Sequence, residues 1–211
     1  MSNLNRTRLV LFVGLLVLAA VVRIYKIIAL ESDFLLWLHG HSTESFDHLV
    51  LNVNAIGGPK PVFAMALGFA LIGFARTRKV EFLAAIPMLG MSAVLNLALR
   101  DVLHRHRPDL WHTLIYDHSF IWSFPGGHAC LAASLATAIN LILWETPYRR
   151  PVFIGGIAYC MVVAFTSVIL GVHYPLDIIG GWISGFLVVS LSWSFVQWVS
   201  TLRGTKTLRE D

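Results

Sequence analysis

Residues 171–199 read GVHYPLDIIGGWISGFLVVSLSWSFVQWV, and this stretch decides the fold class. From Ile178 to Val199 it contains no Asp, Glu, Lys or Arg. A helix needs about 20 mostly apolar residues to cross a bilayer, so the stretch alone predicts a membrane-spanning helix. Directly before the apolar run stand His173 and Asp177, four residues apart. An acid at the start of a membrane helix is costly, which indicates a functional role.

Five other apolar runs extend this prediction to the whole chain. They are Leu9–Val22 with a continuation to Leu30, Pro61–Ala75, Phe82–Leu99, Ala129–Trp144 and Val152–Val172. The shorter runs are long enough if flanking residues extend each helix and charges at its ends reach the interface. Only 13% of the 211 residues are charged, whereas a soluble domain is about a quarter charged. We therefore expect an all-α integral membrane protein, with six transmembrane helices in one domain over residues 1–211.

The positive charges indicate how the predicted helices are oriented. Ten of the sixteen Lys and Arg residues fall on one side of the six-helix arrangement. They are Arg6, Arg8, Arg76, Arg78, Lys79, Arg149, Arg150, Arg203, Lys206 and Arg209. By the positive-inside rule, that side is cytoplasmic and holds both termini. We expect a prokaryotic plasma membrane, with Leu9–Val22 retained as a helix because no A-x-A-like cleavage site follows it.

All nine histidines lie on the predicted outer side or at its membrane boundary, at positions 39, 41, 48, 104, 106, 112, 118, 128 and 173. His104 and His106 raise the question of a metal site. However, they lack the spacing of helical ligands, and no cysteine lies outside the predicted spans. We therefore expect no metal and no cofactor. The net charge of +4 follows from the topology, so no nucleic-acid partner is expected either.

The segment RDVLHRHRP, residues 100–108, joins the third and fourth apolar runs. Arg100 and Arg107 are seven residues apart, so on a helix that continues through both they would share a face. Pro108 would then end that helix. Two guanidinium groups on one face suit phosphate oxygens. The alternative is a basic anchor at the membrane surface.

The segment FPGGHA, residues 124–129, stands at the start of the fourth apolar run. Gly126 and Gly127 let backbone N–H groups approach an anion closely, and a helix N-terminus adds a favourable dipole. His128 at that edge could donate or accept a proton. Taken alone, the segment favours a turn that ends in a capping histidine over an anion site.

His173 and Asp177 form the third motif. A carboxylate four residues on can accept a hydrogen bond from one ring nitrogen, which fixes the tautomer and activates the other nitrogen. Pro175 between them suits the first turn of a helix.

In this order, Arg-x6-Arg-Pro, Pro-x-Gly-His and His-x3-Asp resemble the type 2 phosphatidic acid phosphatase family. Its members are integral membrane phosphatases with six helices, and their core is similar to that of vanadium haloperoxidases. The family pattern is Lys-x6-Arg-Pro, Pro-Ser-Gly-His and Ser-Arg-x5-His-x3-Asp. This chain departs from it at Arg100 in place of Lys, Gly126 in place of Ser, and Ser167 in place of Arg.

The resemblance implies a catalytic set of His128, His173 and Asp177. His173, oriented by Asp177, would attack phosphorus and form a phosphohistidine. His128 would protonate the leaving group and then activate water.

The resemblance also implies that Arg100, Arg107, Gly126 and Gly127 bind the substrate phosphate. Losing one clamping arginine at Ser167 should weaken transition-state stabilisation by about 3 kcal/mol. Lys60, before the second apolar run, is the auxiliary candidate to replace it. On a continuing helix, Arg105 would point away from Arg107.

We expect a metal-independent hydrolase that acts on a lipid phosphate monoester or diphosphate at the extracytoplasmic face. The candidate substrates are a polyprenyl diphosphate, phosphatidic acid and phosphatidylglycerol phosphate. A lipid phosphotransferase with the same His-His-Asp set and a weakened, lipid-phosphate-binding relative are the alternatives. The expected partners are the lipid substrate and the bilayer. Gly181 and Gly185 form a G-x-x-x-G pair that suits internal helix packing or a dimer face.

Overall fold

The structure, a computed structural model, describes residues 3–74, 79–111 and 121–207, and these ranges fold into α-helices. The helices are α1 (Asn3–Val21), α2 (Tyr25–His39), α3 (Glu44–Asn54), α4 (Pro59–Phe74), α5 (Lys79–Leu103), α6 (Gly127–Leu143), α7 (Arg149–Ile169) and α8 (Pro175–Thr207). A single 3₁₀ turn, Ala55–Gly57, lies between α3 and α4. The prediction of an all-α fold is confirmed.

Four helices in the described ranges are long and apolar enough to cross a membrane. They are Leu4–Val21, Phe82–Leu103, Arg149–Ile169 and Pro175–Trp198. Glu44–Gly57 and Pro59–Ile72 would together form a fifth span, bent by 47°. The α6 helix is apolar but has only 17 residues. All four long helices coincide with predicted runs, while the count of six spans stays a prediction.

The first predicted run does not continue to Leu30. Helix α1 ends at Val21, and α2 begins at Tyr25 as a separate helix. Between them, Arg23 Nη2 donates a hydrogen bond to the carbonyl of Leu103 at 3.0 Å. The first helix therefore ends close to the C-terminal end of α5, and α2 is a separate helix.

The prediction of one helix through Arg100 and Arg107 is wrong. Helix α5 ends at Leu103, and His104 has φ +48°, which is a left-handed conformation. The chain then pairs with residues 121–123, because Arg107 N donates to the Ile121 carbonyl at 3.3 Å. A second bond runs from Ser123 N to the Arg105 carbonyl at 2.6 Å. These non-local bonds replace the helical ones, so the two arginines do not share a helix face.

Helix α8 packs directly against α6 through the G-x-x-x-G pair. A Cβ on Gly185 would lie 2.5 Å from the Cys130 carbonyl oxygen, and a Cβ on Gly181 would collide with the Gly126 carbonyl oxygen. The two backbones can approach this closely only because both positions lack a side chain. The pair thus serves packing within the chain, and it brings the N-termini of α6 and α8 together at one end of the bundle.

Candidate active site

The predicted site residues come from three helix ends that meet at one end of the bundle. Arg100 lies in the last turn of α5, His128 is the second residue of α6, and Asp177 is the third residue of α8. His173 lies between α7 and α8, just before Pro175 begins the helix as predicted. Two helix N-termini at one place favour a bound anion.

The FPGGHA segment forms the N-terminus of α6, with Gly126 at the cap position. Gly126 N donates to the Asp177 carbonyl at 2.8 Å, which ties the turn to α8. Arg100 Nε donates to the Pro125 carbonyl at 3.0 Å. A Cβ on Gly127 would lie 2.7 Å from Arg100 Nη2. The arginine therefore lies across the turn, and only a glycine leaves it that room.

His128 faces the 3₁₀ turn that precedes α4. A Cβ on Gly58 would lie 3.5 Å from His128 Nε2, and a Cβ on Gly57 would lie 3.4 Å from its Cδ2. Gly57 and Gly58 stand directly before α4. Their lack of side chains leaves space beside the imidazole.

His173 is nearly fully buried, with 1% of its surface exposed. Its Nδ1 lies 3.7 Å from Asp177 Oδ2, which is too long for a hydrogen bond. Ser123 Oγ lies 3.1 Å from the same Nδ1 and is hydrogen-bonded to the same Oδ2. The sequence thus placed His173 and Asp177 correctly as neighbours but missed Ser123 between them.

Asp177 is held on its other side by a buried ionic network. Arg105 Nη1 donates to Asp177 Oδ1, and Arg105 Nη2 lies 2.5 Å from Glu31 Oε2. Glu31 Oε1 also accepts a hydrogen bond from Leu176 N at 2.9 Å. The expectation that Arg105 points away from Arg107 assumed a helix that in fact ends at Leu103, and it did not foresee that Arg105 binds Asp177. Arg105 and Glu31 are recognised as part of the site only because the structure shows that both are buried and in contact. The sequence alone does not indicate this burial.

Arg100 and Arg107 both act electrostatically on His128 and on His173. The two arginines therefore lie near both histidines although they do not share a helix face. Arg107 is held instead by the pairing with residues 121–123. Burial lowers the pKa of His173 well below its ordinary value near 6.5. The charges of Arg100 and Arg107 act in the same direction, while Asp177 opposes them. These effects together favour the neutral form of the His173 imidazole at pH 7.

Comparisons with known proteins identify the family of this chain. The family model described as the PAP2 superfamily matches residues 81–200, which is more than half of the chain. The chain belongs to the PAP2 superfamily. The matched segment includes α6, α7 and every predicted catalytic residue.

Among curated PAP2 relatives, phosphatidylglycerophosphatase B of Bacillus subtilis is 29% identical over 57% of this chain and 61% of its own length. An undecaprenyl-diphosphatase of Sulfolobus acidocaldarius is 30% identical over 58% of each chain. The chain thus spans about three fifths of these relatives. A crystal structure of a transmembrane PAP2-type phosphatidylglycerolphosphate phosphatase from Bacillus subtilis superposes with a TM-score of 0.82. It is 21% identical and covers 91% of this chain and 96% of its own, which shows the shared fold.

The position where the PAP2 motif has an arginine lies in a packed polar cluster. Ser167 has no exposed surface. Asn54 Nδ2 donates to Ser167 Oγ at 2.8 Å and to Thr166 Oγ1 at 3.0 Å. An arginine at this position would have to displace the Asn54 side chain. Lys60 is exposed in the first turn of α4, and its auxiliary role stays a prediction.

Several other histidines pack against tryptophans. The His39 ring stacks on Trp111 at 4.2 Å, and the rings of His104 and His106 lie 4.5 and 4.9 Å from Trp122. In the part of the chain that the structure describes, no group of three or more His, Cys, Asp or Glu side chains is arranged to hold a metal ion. The histidines at positions 112 and 118 lie outside the described residues.

Proposed function

We propose that this PAP2 protein is a lipid phosphatase that works without a metal, through a phosphohistidine at His173. One observation carries the proposal. His173 is buried, the charges of Arg100 and Arg107 act on both His173 and His128, and Arg100 Nε is hydrogen-bonded to the turn that precedes His128. Phosphoryl transfer depends mainly on positioning and on neutralising the charge of the phosphoryl oxygens. These four side chains supply both.

In the first step, an imidazole nitrogen of His173 attacks phosphorus, and the bond from phosphorus to the lipid oxygen breaks. His128 gives its proton to that departing oxygen, so the lipid leaves as an alcohol or a monophosphate. Burial, and then the charges of Arg100 and Arg107, lower the pKa of His128. The negative charge of a bound phosphate acts in the opposite direction and favours the protonated form before the step. The guanidinium groups of Arg100 and Arg107, with the backbone N–H of Gly127, hold the phosphoryl oxygens, and Gly126 keeps the turn close to α8.

In the second step, water attacks the phosphohistidine. His128, now neutral, accepts a proton from the water, and the bond between phosphorus and nitrogen breaks. Inorganic phosphate leaves, and His173 and His128 return to their starting states. The same histidine therefore serves as acid and then as base, as microscopic reversibility requires.

The relatives suggest two substrate classes for this site. Phosphatidylglycerophosphatase B and undecaprenyl-diphosphatase are named for a phosphatidylglycerol phosphate and a polyprenyl diphosphate. We include phosphatidic acid as the third candidate. We propose that the site lies at the extracytoplasmic face of a prokaryotic plasma membrane, and the distribution of Lys and Arg supports that orientation.

The decisive experiment measures phosphate release by the purified protein from these three lipids, in detergent and with a chelator present. We expect release from at least one of them, and a loss of at least about 100-fold in His173→Ala and His128→Ala. His41→Ala is the matched control, because His41 is exposed in the loop after α2. No release from any lipid, or equal release by His173→Ala, would refute the phosphatase proposal. A phosphorylated alcohol in place of free phosphate would support a phosphotransferase.

The orientation has its own test. A cysteine introduced at His41 should react with a membrane-impermeant maleimide on intact cells, while one introduced at Arg149 should react only after lysis. The reverse pattern would place the site at the cytoplasmic face.

A further inference from the structure

Ser123 occupies the gap between the two residues that the motif pairs. His173 Nδ1 and Asp177 Oδ2 are 3.7 Å apart, and Ser123 Oγ contacts both. None of the three side chains has more than 1% of its surface exposed. All three side chains are therefore shielded from bulk solvent.

The hydrogen-bond partners fix where each proton lies. Asp177 accepts bonds from the Arg105 guanidinium at Oδ1 and from Tyr174 N at Oδ2, the latter at 2.9 Å. A carboxylate in these surroundings only accepts hydrogen bonds. Ser123 must therefore donate its single hydroxyl proton to Asp177 Oδ2. Its oxygen is left to accept a bond from His173 Nδ1, which must then carry a proton.

We propose that Ser123 is a positioning residue, which relays the orienting effect of Asp177 to His173 and thereby leaves His173 Nε2 unprotonated as the attacking nitrogen. This inference rests on the proposed function, since it names the atom that forms the bond to phosphorus. A neutral imidazole with its proton at Nδ1 has its lone pair at Nε2. The hydrogen bonds thus run from His173 Nδ1 to Ser123 Oγ and from Ser123 Oγ to Asp177 Oδ2, and they leave Nε2 as the proposed nucleophile.

The backbone around Ser123 holds the hydroxyl in place. Ser123 N donates to the Arg105 carbonyl at 2.6 Å, and the same Arg105 binds Asp177 through its side chain. The next residue, Phe124, is fully buried against Gly180, where any Cβ would collide with its ring. Ser123 is therefore held by Arg105 on one side and, through Phe124, by α8 on the other. A relay between two fixed groups requires such a fixed position.

The first test is kinetic. Ser123→Ala should lower kcat by about 10- to 100-fold, the range known for groups that orient metal-ligating histidines, with KM changed less than about twofold. Ser92→Ala is the matched control, because Ser92 is equally buried and its hydroxyl bonds only the Met88 carbonyl of its own helix. Asp177→Asn and the double variant complete a cycle. If the relay exists, the double variant loses no more than Asp177→Asn alone.

The second test does not depend on activity. In protein labelled with ¹⁵N-histidine, the His173 signals should report the tautomer with the proton at Nδ1, and Ser123→Ala should give a mixture of tautomers. The Ser92→Ala spectrum should match wild type. Unchanged tautomers in Ser123→Ala, or losses that multiply in the double variant, would overturn the relay. Because an inactive wild type would refute the phosphatase while leaving the tautomer measurable, the two proposals fail separately.

Discussion

Arg105 and Asp177 form a buried ion pair across 72 residues of sequence. Arg105 also binds Glu31, so one guanidinium compensates two buried carboxylates. Its plane lies over the Tyr174 ring at 4.3 Å, which adds a cation–π contact. The network fixes the carboxylate that stands behind the proposed nucleophile.

Arg105→Met should destabilise the protein by about 3–5 kcal/mol, because it leaves two carboxylates buried without a counter-charge. The measurement is the free energy of unfolding in detergent. Arg23→Met is the control, since Arg23 is exposed and makes one bond to the Leu103 carbonyl. Equal stability of the two variants would mean that the network contributes little.

The stability of the protein should fall as pH drops below about 6.5. Burial lowers the pKa of His173 in the folded state, so below the ordinary histidine pKa the unfolded chain binds a proton that the folded chain does not. The contribution of this residue is therefore complete above pH 6.5 and declines toward lower pH. Unfolding of wild type and His173→Gln from pH 8 to pH 5 will show this, and parallel curves for the two would contradict it.

Ser167→Arg should destabilise the protein and should not raise its activity. The new side chain would enter a cluster in which Asn54 donates to both Ser167 and Thr166. Overpacking of this kind costs about 1–3 kcal/mol. Ser167→Ala is the control for the lost hydroxyl, which should cost about 1 kcal/mol. A more active Ser167→Arg would show that the cluster can open and admit a phosphate ligand.

Gly185→Ala should destabilise the packing of α6 against α8, because the new Cβ would lie 2.5 Å from the Cys130 carbonyl oxygen. We expect a loss of about 1–3 kcal/mol. Gly90→Ala is the matched control, since Gly90 lies within α5 with nothing within 4 Å of its Cβ position. That variant should gain about 0.5–1 kcal/mol from helix propensity. The opposite order of stabilities would exclude close packing at Gly185.

The features that are local in sequence were the ones that could be predicted. A long uncharged run predicts a membrane helix by itself, and so α8 was expected, including its start at Pro175. The spacing of His173 and Asp177 likewise predicts neighbours across one helical turn. Gly126 and Gly127 before an apolar run predicted the N-terminus of α6.

The features that depend on distant partners were missed. Arg107 was assigned to a helix because nothing in residues 100–108 reveals that this segment pairs with residues 121–123. That pairing places Arg105 at Asp177 and brings the hydroxyl of Ser123 between Asp177 and His173. The left-handed conformation of His104, with φ +48°, ends α5 and thereby sets the positions of Arg105, Arg107 and Ser123. The spacing of apolar residues does not predict this turn.

Glu31 extends the proposed active site beyond the segment that the family model matches. The residue lies on α2, before the matched range of residues 81–200, and yet it binds Arg105 and the backbone of Leu176. A chimera that grafts only residues 81–200 onto another scaffold would carry Arg105 without the Glu31 carboxylate. It would also leave the backbone N–H of Leu176, at the start of α8, without the acceptor that Glu31 provides. The smallest transplantable unit that keeps this ion-pair network intact therefore includes α2.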